Sequence, residues 1–141
     1  MPSSANDLAA TLTRVFQAHP AVRFAVLYGS HAAGRATPVS DIDVAAYIDE
    51  ASDVLTVAAA LNETFPETRV DLVDLREQPS LVYYEILAEG RLLFARDEAF
   101  FKSEKLRVMR EYLDFRPTYE RVLDAMDRRL EAGTYGAPDS C

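Results

Sequence analysis

The sequence predicts one mixed α/β domain, with a short mixed sheet, helices packed on it and a helical C-terminal extension. Three observations carry that reading. Short apolar runs rich in strand formers alternate with stretches of helical periodicity, in the order α-β-(α)-β-α-β-α-β-α. The chain has 141 residues, of which 49% are hydrophobic and 27% charged. That is enough for one core, but too little for separate catalytic and recognition domains. No repeat or low-complexity tract breaks the pattern, so residues 1–141 read as a single unit. Within it, about 20–96 form the core and about 97–132 form C-terminal helices.

Each element has its own signal. Leu8, Leu12, Val15 and Phe16 place a helix over Ser4 to Ala18, with Ser4 and Asp7 as a capping pair and His19-Pro20 as its end. VRFAVLY, Val22 to Tyr28, is the first strand and is closed by Gly29-Ser30. His31 to Ser40 reads as one helical turn followed by a loop. DIDVAAYI, Asp41 to Ile48, is the second strand, and Asp53 to Phe65 is an amphipathic helix. RVDLVDL, Arg69 to Leu75, alternates with period two and gives the third strand. Ser80 to Glu89 is a helix stopped by Gly90, and RLLFA, Arg91 to Ala95, is a fourth strand. From Asp97 the pattern is helical, with Pro117 separating two helices and a frayed tail from Gly133. Phe100, Phe101, Tyr112, Phe115 and Tyr119 read first as packing of these helices on the sheet, and second as part of a partner surface.

Charge and composition exclude several classes. The net charge of −8 lies in the first 101 residues, which hold seven Arg against fifteen acids. An acidic surface repels phosphate backbones and argues against non-specific nucleic-acid binding. No apolar run approaches a membrane span, and Met1 to Asp7 lacks the pattern of a signal peptide. The single Cys, Cys141, rules out an internal disulfide framework. A cytoplasmic protein is expected.

Chemistry concentrates in three places. Gly29-Ser30 joins a strand to a helical turn, where a glycine permits close approach and the serine offers a hydroxyl and an N–H to phosphate oxygens, although most Gly-Ser pairs taken alone are only turns. Asp41 and Asp43 are alternate residues of a strand, so their carboxylates share a face and repel unless a hard cation such as Mg²⁺ or Mn²⁺ lies between them, while taken alone the pair also reads as a polar strand end or a turn capped by Asp. Asp71 stands in a strand expected to be mostly buried, where an ionised carboxylate needs a partner. Asp74 has the opposite parity, and a capping role explains it. Other motifs fail. Gly29 to Gly34 has the glycine spacing of a P-loop but is followed by Arg35-Ala36. Asp41-x-Asp43 lacks the glycine and final Glu of a calcium loop, and Ser30 has no G-x-S-x-G elbow. His19 reads as a helix-end residue and His31 as exposed on the loop.

The spacing G-S-x10-D-x-D with a third Asp on a later strand resembles the nucleotidyltransferase superfamily of the DNA polymerase β type. It is most similar to the minimal nucleotidyltransferases (MNT), often antitoxins paired with HEPN-domain toxins. The matching pieces are LYGSHAAGRATPVSDIDVAAYI, RVDLVDL and YYEILAEGRLLFARD, from about Val22 to Ala95. The resemblance implies the polymerase β-like nucleotidyltransferase fold. It makes Asp41, Asp43 and Asp71 the catalytic ligands of two Mg²⁺ ions, with Gly29, Ser30, Ser40 and Arg35 on the phosphates of ATP. Many relatives carry Arg soon after Gly-Ser, and here Arg35 is its candidate replacement. The implied reaction is transfer of AMP to a Tyr of a HEPN toxin, with the chain as antitoxin. The alternatives are a binding-only antitoxin acting by occlusion, and transfer to a small molecule such as an aminoglycoside.

Overall fold

The computed structural model describes residues 5–32, 34 and 41–131, with side chains from 7 to 114 among them. A four-stranded sheet is formed by β1 (Val22–Tyr28), β2 (Ile42–Ile48), β3 (Val70–Asp74) and β4 (Arg91–Ala95), in the order β3-β2-β1-β4. β1 runs antiparallel to both β2 and β4, while β2 and β3 are parallel. The parallel pair needs a crossover, supplied by α3 (Ala51–Thr64). The other helices are α1 (Ala5–Gln17), the single turn α2 (Gly29–Ala32), α4 (Ser80–Glu89) and α5 (Glu98–Glu131).

The strand period divides the core in two. Ala25, Leu27, Ile42, Val44, Ala46 and Ile48 face α1 and α3, where they meet Leu12, Phe16, Val57 and Leu61. Phe24, Val26 and Ala45 face α4 and α5, where they meet Tyr83, Ile86, Leu87 and Val108. In α1, Leu8, Leu12 and Phe16 recur every four residues and form its buried stripe. Full burial of Leu12 and Phe16 contributes about 1.5–3 kcal/mol each.

A polar brace ties α4 to α5. The Tyr83 hydroxyl donates to Glu104 Oε1 at 3.0 Å, and Arg107 grips both Glu104 oxygens at 2.9 and 3.0 Å. Tyr84 stacks on Tyr112 at 4.4 Å between centroids. Phe100 and Phe101 pack against Phe24, so these two aromatics and Tyr112 are packing residues. The side chains of Phe115 and Tyr119 lie outside the described residues.

Several sequence expectations are corrected. A single helix α5 runs through Pro117 instead of two helices. Proline costs about 3 kcal/mol through one lost hydrogen bond and a local clash, a penalty that surrounding structure can override. β3 is an edge strand in which Val70 is buried and the other residues are half-buried, not a mostly buried strand. Gly90 does end α4 as expected, with a negative φ of −83°. Its need is steric, because a Cβ there would stand 2.4 Å from Val26 Cγ1 and 2.6 Å from the Ile86 carbonyl oxygen. β2 begins at Ile42, whose N–H donates to the Arg69 carbonyl at 2.9 Å, so Asp41 precedes the strand. Ser4 and the tail from Gly133 lie outside the described residues.

Candidate active site

The strand register assembles the site. Tyr28, the last residue of β1, lies opposite Asp43 of β2, and Asp43 lies opposite Asp71 of β3. Residues opposite one another project to the same face, so the three form a row across three strands, on the face covered by α4 and α5. Asp41 is exposed just before β2, and Asp43 is half-buried. Asp74 lies opposite Ala46, on the other face, and its carboxylate accepts the Arg76 N–H at 3.1 Å to cap the turn that follows.

The closeness of the row sets the electrostatics of its members. Burial pushes the Asp43 carboxyl above its ordinary range, and the neighbouring charges of Asp71 and Asp41 push it further up, while His31 pulls the other way. The Tyr28 phenol is raised by burial, then by Asp43 and Asp71, so it stays protonated. Asp71 has a partner, since Arg69 Nε donates to its Oδ1 at 2.8 Å. The pair is open to solvent, with side-chain exposures of 74% for Arg69 and 38% for Asp71.

Gly29 closes the site from β1. Its φ of +74° lies in the left-handed region, which favours glycine. A Cβ there would stand 2.4 Å from Asp43 Oδ2, so the Gly29-Ser30 turn is pressed directly onto the carboxylate. Ser30 and His31 follow in α2, both half-buried. His31 is therefore not an exposed loop residue, because the short helical turn tucks it toward Asp43. Arg35 and Ser40 lie outside the described residues.

Sequence reasoning passed over three participants. Tyr28 needs the β1–β2 register to be placed beside Asp43. His31 needs the turn. Arg69 could have been found, because a residue two before Asp71 on a strand shares its face.

The donors fit a hard divalent cation in their chemistry. They are carboxylate oxygens, two of them in register, and their mutual repulsion already raises Asp43. Among the described residues, no three His, Cys, Asp or Glu side chains converge closely enough to hold a metal ion.

Comparison with known proteins identifies the family. Residues 10–99 match the family described as "Polymerase beta, Nucleotidyltransferase", which is more than half of the chain. The chain belongs to the polymerase β nucleotidyltransferase family. The nucleotidyltransferase fold is shared with solved structures of low sequence identity. One is a toxin–antitoxin crystal structure with AMP-PNP (19% identity, TM-score 0.69, 82% of this chain and 95% of that one). Another is a tri-AMPylated HEPN toxin in complex with MNT antitoxin from Shewanella oneidensis (17% identity, TM-score 0.66, 86% and 97%). A third is the toxin–antitoxin MntA-HepT (18% identity, TM-score 0.63, 82% and 93%). No curated protein matches the sequence significantly. No helix among the described residues of this nucleotidyltransferase is long and apolar enough to cross a membrane.

Proposed function

We propose that the chain is a nucleotidyltransferase antitoxin that moves AMP from ATP to a hydroxyl of a HEPN-domain toxin, a Tyr being the acceptor. The observation that carries this is Gly29 seated against Asp43 Oδ2, at the end of a row that continues to Asp71. A turn able to approach phosphate thus lies against one of the proposed ligand carboxylates, which supports the reading.

In the reaction, the acceptor oxygen bonds to the α-phosphorus of ATP. The bond from that phosphorus to the oxygen bridging to the β-phosphate breaks, and pyrophosphate leaves with its electron pair. Asp71 takes the hydroxyl proton. Asp41 and Asp43 would hold divalent cations together with Asp71. Gly29 and Ser30 would face the β- and γ-phosphates, with Ser40 and Arg35 beside them. When bound, Mg²⁺ supplies charge neutralisation at the entering and leaving oxygens of such a displacement. The partner is proposed because a solved relative is an MNT antitoxin in complex with a tri-AMPylated HEPN toxin, and another carries AMP-PNP.

The test is label transfer from α-³²P-ATP to a co-purified partner. The wild type should label it, and Asp41→Asn with Asp43→Asn should abolish the label. Undiminished labelling by the double variant overturns the reading. The Arg69–Asp71 pair favours a second reading, a binding-only antitoxin, since Asp71 is satisfied there without a metal. That reading requires the double variant to neutralise the toxin as well as the wild type does.

A further inference from the structure

A cavity of about 270 Å³ lies beside the carboxylate row, between the sheet and α4. Its walls are Tyr28, Val73, Val82 and Ile86, and its rim carries Gln78, Glu85 and Glu89. Tyr28 belongs to the row itself, and Val73 follows Asp71 by two residues on the same face of β3. Val82, Glu85, Ile86 and Glu89 are spaced i, i+3, i+4 and i+7, one stripe of α4 turned to the cavity. Val82 is apolar yet 37% exposed.

Three properties narrow the occupant. Three aliphatic side chains and a phenol ring suit a flat apolar group. The rim holds two carboxylates, an amide and no cation, so it repels phosphate and attracts a ligand with positive charge next to its apolar part. The volume stands at the lower edge of the roughly 300–1,000 Å³ of small-molecule sites, which is room for one aromatic side chain.

We infer that this cavity is the acceptor subsite: it receives an aromatic, hydroxyl-bearing side chain from a protein segment with basic neighbours. It thus chooses the acceptor, while Gly29 and Ser30 serve the nucleotide. The inference rests on the nucleotidyl-transfer reading above.

The test measures binding to the full chain without turnover, with tyrosinamide as acceptor probe and AMP-PNP with Mg²⁺ as nucleotide probe. Val82→Trp fills the cavity, and Glu85→Lys with Glu89→Lys reverses its rim on exposed positions that folding tolerates. Each variant should weaken tyrosinamide about tenfold, while AMP-PNP affinity stays within about twofold. Should Val82→Trp fail to fold, the rim variant decides alone. Unchanged or absent tyrosinamide binding overturns the inference, as does loss of AMP-PNP binding on filling the cavity, which would make it a nucleobase pocket. A chain that binds tyrosinamide in the cavity but transfers no AMP defeats the nucleotidyl-transfer reading alone.

Discussion

Asp43 and Asp71 stand directly opposite each other on the parallel strands β2 and β3, with their side chains on one face. Two like charges so placed raise the free energy of the folded state unless something positive joins them. Arg69 does so for Asp71. Among the described residues, His31 gives Asp43 partial help.

Stability should therefore depend on pH through Asp43. Its carboxyl is raised in the folded state, so the native form holds a proton more tightly than the unfolded form. Without metal, stability should fall as pH rises from the ordinary carboxylate range through the raised value. Asp43→Asn removes that slope. Urea melts at a series of pH values, with chelator present, check this; an unaltered slope in the variant refutes it.

Gly29→Ala should do more harm than Gly34→Ala. Both glycines have positive φ, +74° and +73°, and alanine in that region costs about 1–2 kcal/mol. Only at position 29 does the new methyl also meet Asp43 Oδ2. Thermal melts should show a loss of about 1 kcal/mol for Gly34→Ala and a larger one for Gly29→Ala. AMP-PNP affinity should fall in Gly29→Ala.

Arg69→Ala should leave stability within about 0.5 kcal/mol, because the pair it breaks is exposed. It should raise the affinity for Mn²⁺ in the absence of nucleotide, since Asp71 no longer has a competing cation. Electron paramagnetic resonance of free Mn²⁺ reads this directly, and weaker binding would contradict it.

Glu104→Gln should reduce acid sensitivity. The Arg107 hydrogen bonds hold the Glu104 carboxyl below its usual range, burial opposes them, and the Tyr83 hydroxyl adds to the lowering. A depressed carboxylate stabilises the fold above its unfolded value, and that contribution is lost as pH falls through the folded one. The variant should be less stable at neutral pH by about 1–2 kcal/mol, with a flatter decline toward acid. Chemical denaturation at neutral and acidic pH compares the two.

Much of this was readable in the sequence where local pattern decides the outcome. Val22–Tyr28, Ser80–Glu89 and Arg91–Ala95 lie where apolar runs and Gly90 place them. Period two alone separates Asp71 from Asp74. What pattern could not supply is the register between strands that are distant in sequence. It puts Tyr28 opposite Asp43 and so makes one residue common to the row and to the wall of the α4 cavity. Pro117 misled for another reason: the cost of a proline is local, and the continuation of α5 is decided elsewhere.

The parallel β2–β3 ladder also governs when the site comes into being. Hairpin neighbours can meet early, but β2 and β3 meet only after the chain has passed through all of α3. The entropy of closing that loop must be met before the pairing offers any return. The carboxylate row is therefore incomplete until α3 has been laid down and β3 has returned beside β2, although the β1–β4 pairing spans a longer stretch of chain still. A partly folded chain with α1 and the β1–β2 pair in place would already be compact, yet have no row to offer ATP.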